Sequence, residues 1–196
     1  MKAGTGDSVI EQIARQWRRE RPDLELGDFL LAIYLRRLGH VIESEYDHMC
    51  QARFGMSAHD MRVLLALRRV GPPYALRPTD LFEALLVTSG AVTKQVDRLE
   101  RRRLVKRLPD PAHGGGSRVQ LTPRGLEMVD SAVELLATSS PIKPATAQLD
   151  KGERDAAARF CLKMIALLEA DREAPAAPDP TRRSKPRRPP AAPAKA

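Results

Sequence analysis

The stretch from residue 78 to 122 constrains the chain more than any other, because two short helices, a tight turn and a two-strand hairpin follow one another there without a spacer. Residues 79–86 and 91–103 carry apolar side chains at helical spacing and are separated by Val87-Thr88-Ser89-Gly90. Two short helices joined by a glycine-containing turn are the pattern of a helix-turn-helix. The β-prone runs LVKRL at 104–108 and RVQL at 118–121 then bracket PDPAHGGGS, a loop of turn formers, which predicts a hairpin wing.

The helix at 91–103 divides its faces by chemistry. Val92, Val96 and Leu99 form a packed side, whereas Thr93, Lys94, Gln95, Arg98 and Arg102 point the other way. Amides and guanidinium groups match base edges in a major groove, and hydroxyls and cations match phosphates. Thr88, Ser89 and the helix's first amides, with Ala91 beside them, are placed to meet a phosphate. A charged face alone is as often a solvated surface; the short first helix, the turn and the glycine-rich hairpin favour DNA binding here.

Charge supports this. Residues 89–107 hold seven Lys and Arg against Asp97 and Glu100, and residues 172–196 hold another seven against Glu173 and Asp179. With a net charge of +8, the rest of the chain is weakly acidic. An ordered basic strip on such a body is the footprint of a phosphate-backbone binder. The last 25 residues include seven prolines and no apolar residue larger than Ala or Pro, so they read as a disordered basic tail.

The flanks predict helices. Residues 8–20, capped by Asp7 or Ser8, align Ile10, Ile13 and Trp17 on one face, and Pro22 ends the helix. An apolar stripe from Leu30 to Met49 within 27–52 is long for a compact domain and predicts a helix shared between two units or at a subunit interface. Ser57 and Asp60 have capping-box spacing before a helix that stops at Gly71-Pro72-Pro73. Thr122-Pro123 starts another helix, with Leu126, Val129, Val133 and Leu136 as its stripe. Asp150 opens a last one, expected to bury Ala157, Cys161, Met164 and Leu168. With aromatic residues at only 4%, the core is aliphatic, and the expected fold is mainly α with a small β-hairpin wing.

Residues 60–122, with LLALRRVGPPY, SGAVTKQVDRLE, LVKRLPDP and VQLTPRG, resemble the winged-helix core of the MarR family of bacterial transcription regulators, and the order of elements matches over 8–171. The resemblance implies a winged helix-turn-helix at 57–122 between dimerisation helices at 8–56 and 123–171, with the tail at 172–196. It further implies a homodimer on a pseudo-palindromic double-stranded operator, released by a small effector held between dimer helices and winged helix. In the family that this chain resembles the wing reads DPxDRR; here Asp110, Pro111, Ala112, His113, Gly114 and Gly115 lack the tip arginines, leaving Arg107 and Arg118 at the wing's base. The urate-responsive branch carries a tryptophan on an added first helix, an aspartate before the winged helix and two arginines; Trp17 and Arg107 agree, Arg62 and Gln95 do not. The expected effector is therefore another aromatic acid, phenolic or nicotinate-type, with Trp17, Tyr34, Arg37, His40 and Met61 as candidate ligand residues.

Other functions find less support. His40, His48, His59 and His113 form no spaced set within one element, so neither metal nor other cofactor is expected. No nucleophile order, glycine-rich phosphate loop after a strand or metal motif points to an enzyme. Cys50 and Cys161 lack disulfide or zinc spacing, which fits a reducing cytoplasm, and no apolar run approaches the ~20 residues of a membrane span. Two alternatives to a ligand-controlled repressor are a non-specific architectural DNA binder that uses the tail, and a redox switch at Cys50.

Overall fold

Helix α3 (Ala58–Arg69) is the element around which the others pack, and its sequence explains why: Met61, Val63, Leu64, Ala66 and Leu67 are all buried, which covers most of its circumference. The computed structural model describes residues 8–85, 89–110 and 116–173, with side chains for 8–85, 91–110 and 116–170. The chain divides into two compact units, within 1–145 and from 146 onward.

In the first unit α1 (Val9–Glu20) is capped by Ser8, whose hydroxyl accepts from the Glu11 N–H while the Glu11 carboxylate accepts from the Ser8 N–H. The helix α2 (Gly27–Phe54) runs unbroken for 28 residues and buries only Leu30 and Cys50, leaving Tyr34, Leu38 and Val41 exposed. It ends at Gly55, whose left-handed φ of 59° lets the chain turn into α3. After α3 come β1 (Ala75–Leu76), α4 (Pro78–Leu85), α5 (Ser89–Arg101), β2 (Val105–Asp110), β3 (Gly116–Leu121), α6 (Pro123–Ser139) and the short α7 (Lys143–Thr146).

The strands form one antiparallel sheet in the order β1-β3-β2, with Val105 opposite Leu121 and Asp110 opposite Gly116. Val92, Val96 and Leu99 of α5 and Leu81 of α4 close on α3, as do Val119 of the sheet and Val129 and Ala132 of α6. This is the expected mainly helical winged helix-turn-helix with a small wing. In the second unit, α8 (Lys151–Glu173) stands as one helix.

Four local details differ from expectation. Ser57 caps α3 by accepting from the Asp60 N–H at 3.1 Å, but the Asp60 carboxylate does not complete the box, since it is committed to Arg98. Ser89 and Gly90 belong to α5 rather than to the turn, and 86–88 lie outside the described residues. Helix α5 ends at Arg101 rather than 103 because Arg103 adopts a left-handed φ of 58°, and the N–H groups of Arg103 and Leu104 fold back to the Glu100 and Leu99 carbonyls. The stripe expected to be buried on α8 is not: Ala157, Cys161 and Leu168 are exposed and Met164 half-buried, since no described residue of its own unit covers that face.

The join between wing and α6 is tight. Thr122 caps α6 by accepting from the Gly125 N–H, while its hydroxyl donates to the Arg103 carbonyl at 2.8 Å. A Cβ on Gly125 would lie 1.9 Å from the Leu104 carbonyl oxygen, a backbone atom. Gly125→Ala is therefore expected to destabilise the fold by about 1–3 kcal/mol, read as a lower urea midpoint at unchanged slope.

Candidate nucleic-acid interface

On α5, Val92, Val96 and Leu99 face the core as the spacing predicts, and Ala91, Thr93 and Lys94 are exposed on the opposite side. Gln95 does not join them. It is 5% exposed and lies among His59, Arg62 and Leu85, with its Oε1 unpartnered among the described residues. Its place on the outward face is corrected: position 95 lies three residues beyond buried Val92 and next to Val96, so it falls at the edge of the packed stripe.

Arg98 is also committed within the protein. Its Nε donates to Asp60 Oδ2 at 3.0 Å and its Nη2 to Oδ1 at 2.6 Å, a bidentate pair whose carboxylate side is buried. That bond raises the Arg98 guanidinium pKa further. Arg102 turns from the groove face as well: its two Nη atoms donate to the Gly55 and Phe54 carbonyls at 2.9 Å, placing a cation on the negative end of α2. Two of the five polar groups that spacing alone points outward are thus held by partners within the protein. The signal for this is Asp60, a carboxylate that local spacing explains equally well as a helix cap.

The wing behaves similarly. Arg107 reaches back to α5, where its Nη2 donates to Asp97 Oδ1 at 2.6 Å and its Nη1 to Glu100 Oε2, while its backbone N–H donates to Glu100 Oε1. It ties β2 to the recognition helix instead of standing free at the wing. Arg118 sits opposite Leu108 on β3, half-buried, with its Nε unpartnered among the described residues. Apart from the paired Arg98 and Arg107, the exposed cations of α5, β2 and the turn between them are Lys94, Arg101, Arg103 and Lys106, of which sequence reasoning assigns only Lys94 to DNA. Thr88 and the wing tip at 111–115 lie outside the described residues, as does the Ser89 side chain.

The candidate ligand residues do not converge. Trp17 packs edge-on against Phe29 with ring centroids 5.4 Å apart, and Tyr34 is on the open face of α2. Arg37 and His40 line a cleft of about 480 Å³ between α1 and α2. Met61 is buried beside a separate cavity of about 210 Å³ enclosed by α2, α3 and α6, where Arg62 of α3 pairs with Glu43 of α2. The single site expected from sequence is corrected to two hollows, with the two aromatic residues Trp17 and Tyr34 outside both. Cys50 borders the smaller cavity at 2% exposure, and burial, with the Asp47 charge second, pushes its thiol pKa up. A buried thiol with a raised pKa is a poorer nucleophile, which weighs against the redox-switch reading.

A short helix, a recognition helix with an exposed Thr-Lys edge and an antiparallel wing strapped to it define a DNA-binding winged helix-turn-helix protein. The chain belongs to the MarR family of transcriptional regulators: the model of that family matches residues 54–114. The HTH-type transcriptional regulator PecS of Dickeya dadantii is 32% identical over 125 residues, 64% of this chain and 75% of that protein. The structure of BpsR from Bordetella bronchiseptica, whose DNA binding is regulated by 6-hydroxynicotinic acid, superposes with a TM-score of 0.59 at 26% identity, covering 68% of this chain and 91% of that one. A MarR family regulator of Streptomyces coelicolor in complex with DNA shares the fold with a TM-score of 0.64 at 21% identity, over 78% of this chain and 91% of that one. These relatives are regulators rather than enzymes, and no helix among the described residues is long and apolar enough to cross a membrane.

Two outcomes follow from the geometry. Arg98→Ala leaves the Asp60 carboxylate buried without its cation and is expected to cost about 1–3 kcal/mol of stability, seen as a lower melting temperature; an unchanged melting temperature would assign Arg98 to the surface instead. In Cys161→Ser protein the remaining thiol, Cys50, is expected to react with an aromatic disulfide reagent only after urea unfolding.

Proposed function

We propose that the protein is a homodimeric repressor that reads a pseudo-palindromic operator with the exposed edge of α5 and is released by an aromatic or heteroaromatic acid. The observation carrying this reading is the division of α5: Val92, Val96 and Leu99 fix it to the core while Ala91, Thr93 and Lys94 stay open to a major groove. Ser89 and Thr88 are assigned to the phosphate at the helix start, and Arg118, with the exposed Lys106, to the backbone beside the wing. Arg98 and Arg107 enter as residues that hold the reading helix in position.

Dimerisation is assigned to residues 8–56 and 123–171, on either side of the DNA-binding region 57–122. The exposed apolar side chains of α2 and α8 support this, since Leu38, Val41, Leu162, Ile165, Leu167 and Leu168 would not stand in water in a finished assembly. The effector class is supported by the likeness to BpsR, whose regulation involves 6-hydroxynicotinic acid. The basic stretch 172–196 is proposed to add affinity without selectivity. The protein is placed in the cytoplasm, where its DNA is.

The test is a mobility-shift assay on the promoter beside its gene. Thr93→Ala and Lys94→Ala are expected to lower operator affinity, Lys94→Ala also reducing the salt slope by about one, with melting temperatures unchanged. Deleting 172–196 should preserve the ratio of operator to random-DNA binding; if selectivity is absent in the full chain and most affinity vanishes with the tail, the protein is an architectural DNA binder.

A further inference from the structure

Helices α1 and α2 meet closely near the turn that joins them and then leave a cleft. Ala14 of α1 and Leu30 of α2 are buried and Trp17 packs on Phe29, which fixes the joined end. Farther along, Ile10 and Ile13 of α1 face Ile33 of α2 across a hollow of about 480 Å³, within the range of small-molecule sites. All three isoleucines are half-buried, so the walls are apolar but not closed.

Among the described residues the rim has one sign of charge. On α2, Arg36, Arg37 and His40 follow Ile33 at steps of three and four and border the same cleft, and no described Asp or Glu lines it. The side chains of Arg36 and Arg37 make no ion pair among the described residues, unlike Arg62, Arg68, Arg77, Arg98 and Arg107. Two unneutralised guanidinium groups beside apolar walls are complementary to a molecule with an apolar body and a terminal anion. They fit a second copy of this same face poorly, because a two-fold contact sets like residues near one another.

We propose that this cleft binds an amphipathic monocarboxylate, its hydrocarbon or aryl-alkyl body between Ile10, Ile13 and Ile33 and its carboxylate at Arg36 and Arg37. Occupancy joins α1 to the middle of α2, the helix that continues to Gly55 and the start of α3, and so reaches the element on which α5 is seated. The binding claim stands on the cleft alone; its use as a means of releasing DNA rests on the repressor reading above.

Trp17 is the chain's one tryptophan and lies one helical turn from Ile13, so its emission reports on the cleft. The full chain is titrated with 4-phenylbutanoate and with its uncharged counterpart 4-phenyl-1-butanol, exciting Trp17 alone. Saturable quenching or shift is expected, with the acid bound at least about tenfold more tightly than the alcohol. In Arg36→Gln/Arg37→Gln protein, shown to be folded by circular dichroism, the acid should weaken to the level of the alcohol, while Ile13→Asn should weaken both.

No saturable response in the wild type, or an acid preference that survives the double arginine substitution, overturns the proposal. So does sedimentation showing that Arg36→Gln/Arg37→Gln separates a dimer, since a second copy then occupies the cleft. Mobility shifts keep the two readings apart. If 4-phenylbutanoate binds without altering operator affinity, the cleft stands and its regulatory role falls. If aromatic acids release the operator with no Trp17 response, the repressor reading stands and the cleft assignment falls.

Discussion

The bidentate pair between Asp60 on α3 and Arg98 on α5 is the contact on which the DNA-reading surface depends. A carboxylate 7% exposed has lost most of its water, and only a partner that fills both oxygens offsets that loss. The planar guanidinium does so in one orientation. It therefore sets the rotation of α5 about its own axis, which decides that Thr93 and Lys94 point outward while Gln95 turns in. Apolar packing by Val92, Val96 and Leu99 seats the helix but is tolerant of small rotations; the charged pair is directional and is not.

Arg102 and Arg107 extend the same principle. Arg102 closes the last carbonyls of α2, so the C-terminal part of α5 is tied to the long helix, and Arg107 ties β2 to Asp97 and Glu100. The recognition helix is thus held from α3, from α2 and from the wing by arginines that the local sequence advertises as DNA contacts. The aliphatic core fixes which elements touch, and the charged clamps fix how α5 is aimed.

Much of this architecture was legible in the sequence. Periodicity, Ser8, Ser57, Thr122-Pro123 and Gly71-Pro72-Pro73 mark helix starts and stops that the structure keeps to within a few residues. Strand β1 was not legible, because two residues cannot display an alternation; Ala75 and Leu76 pair with Gln120 and Val119 only once the fold brings them there. The early end of α5 was hidden too, since Arg103 takes a conformation that glycine usually signals. At the candidate site, helical spacing told which side of α5 is packed, but not which cations have partners. That information lies in acids far along the chain, such as Asp60, and no window of local sequence contains both ends of the pair.

The basic strip therefore has a smaller free charge than its seven Lys and Arg suggest. Arg98 and Arg107 neutralise acids of their own protein and Arg102 caps a helix, which leaves Lys94, Arg101, Arg103 and Lys106 as its exposed cations. Each phosphate contact releases counterions and steepens the salt dependence of binding, so a surface with fewer free cations binds non-specific DNA less strongly. In a regulator whose clamps consume charge to aim a helix, the repressor reading proposed above assigns selectivity to the Thr93–Lys94 edge. Under that reading, general attraction to the duplex draws on these four cations and on residues 172–196, which hold as many Lys and Arg as the strip itself.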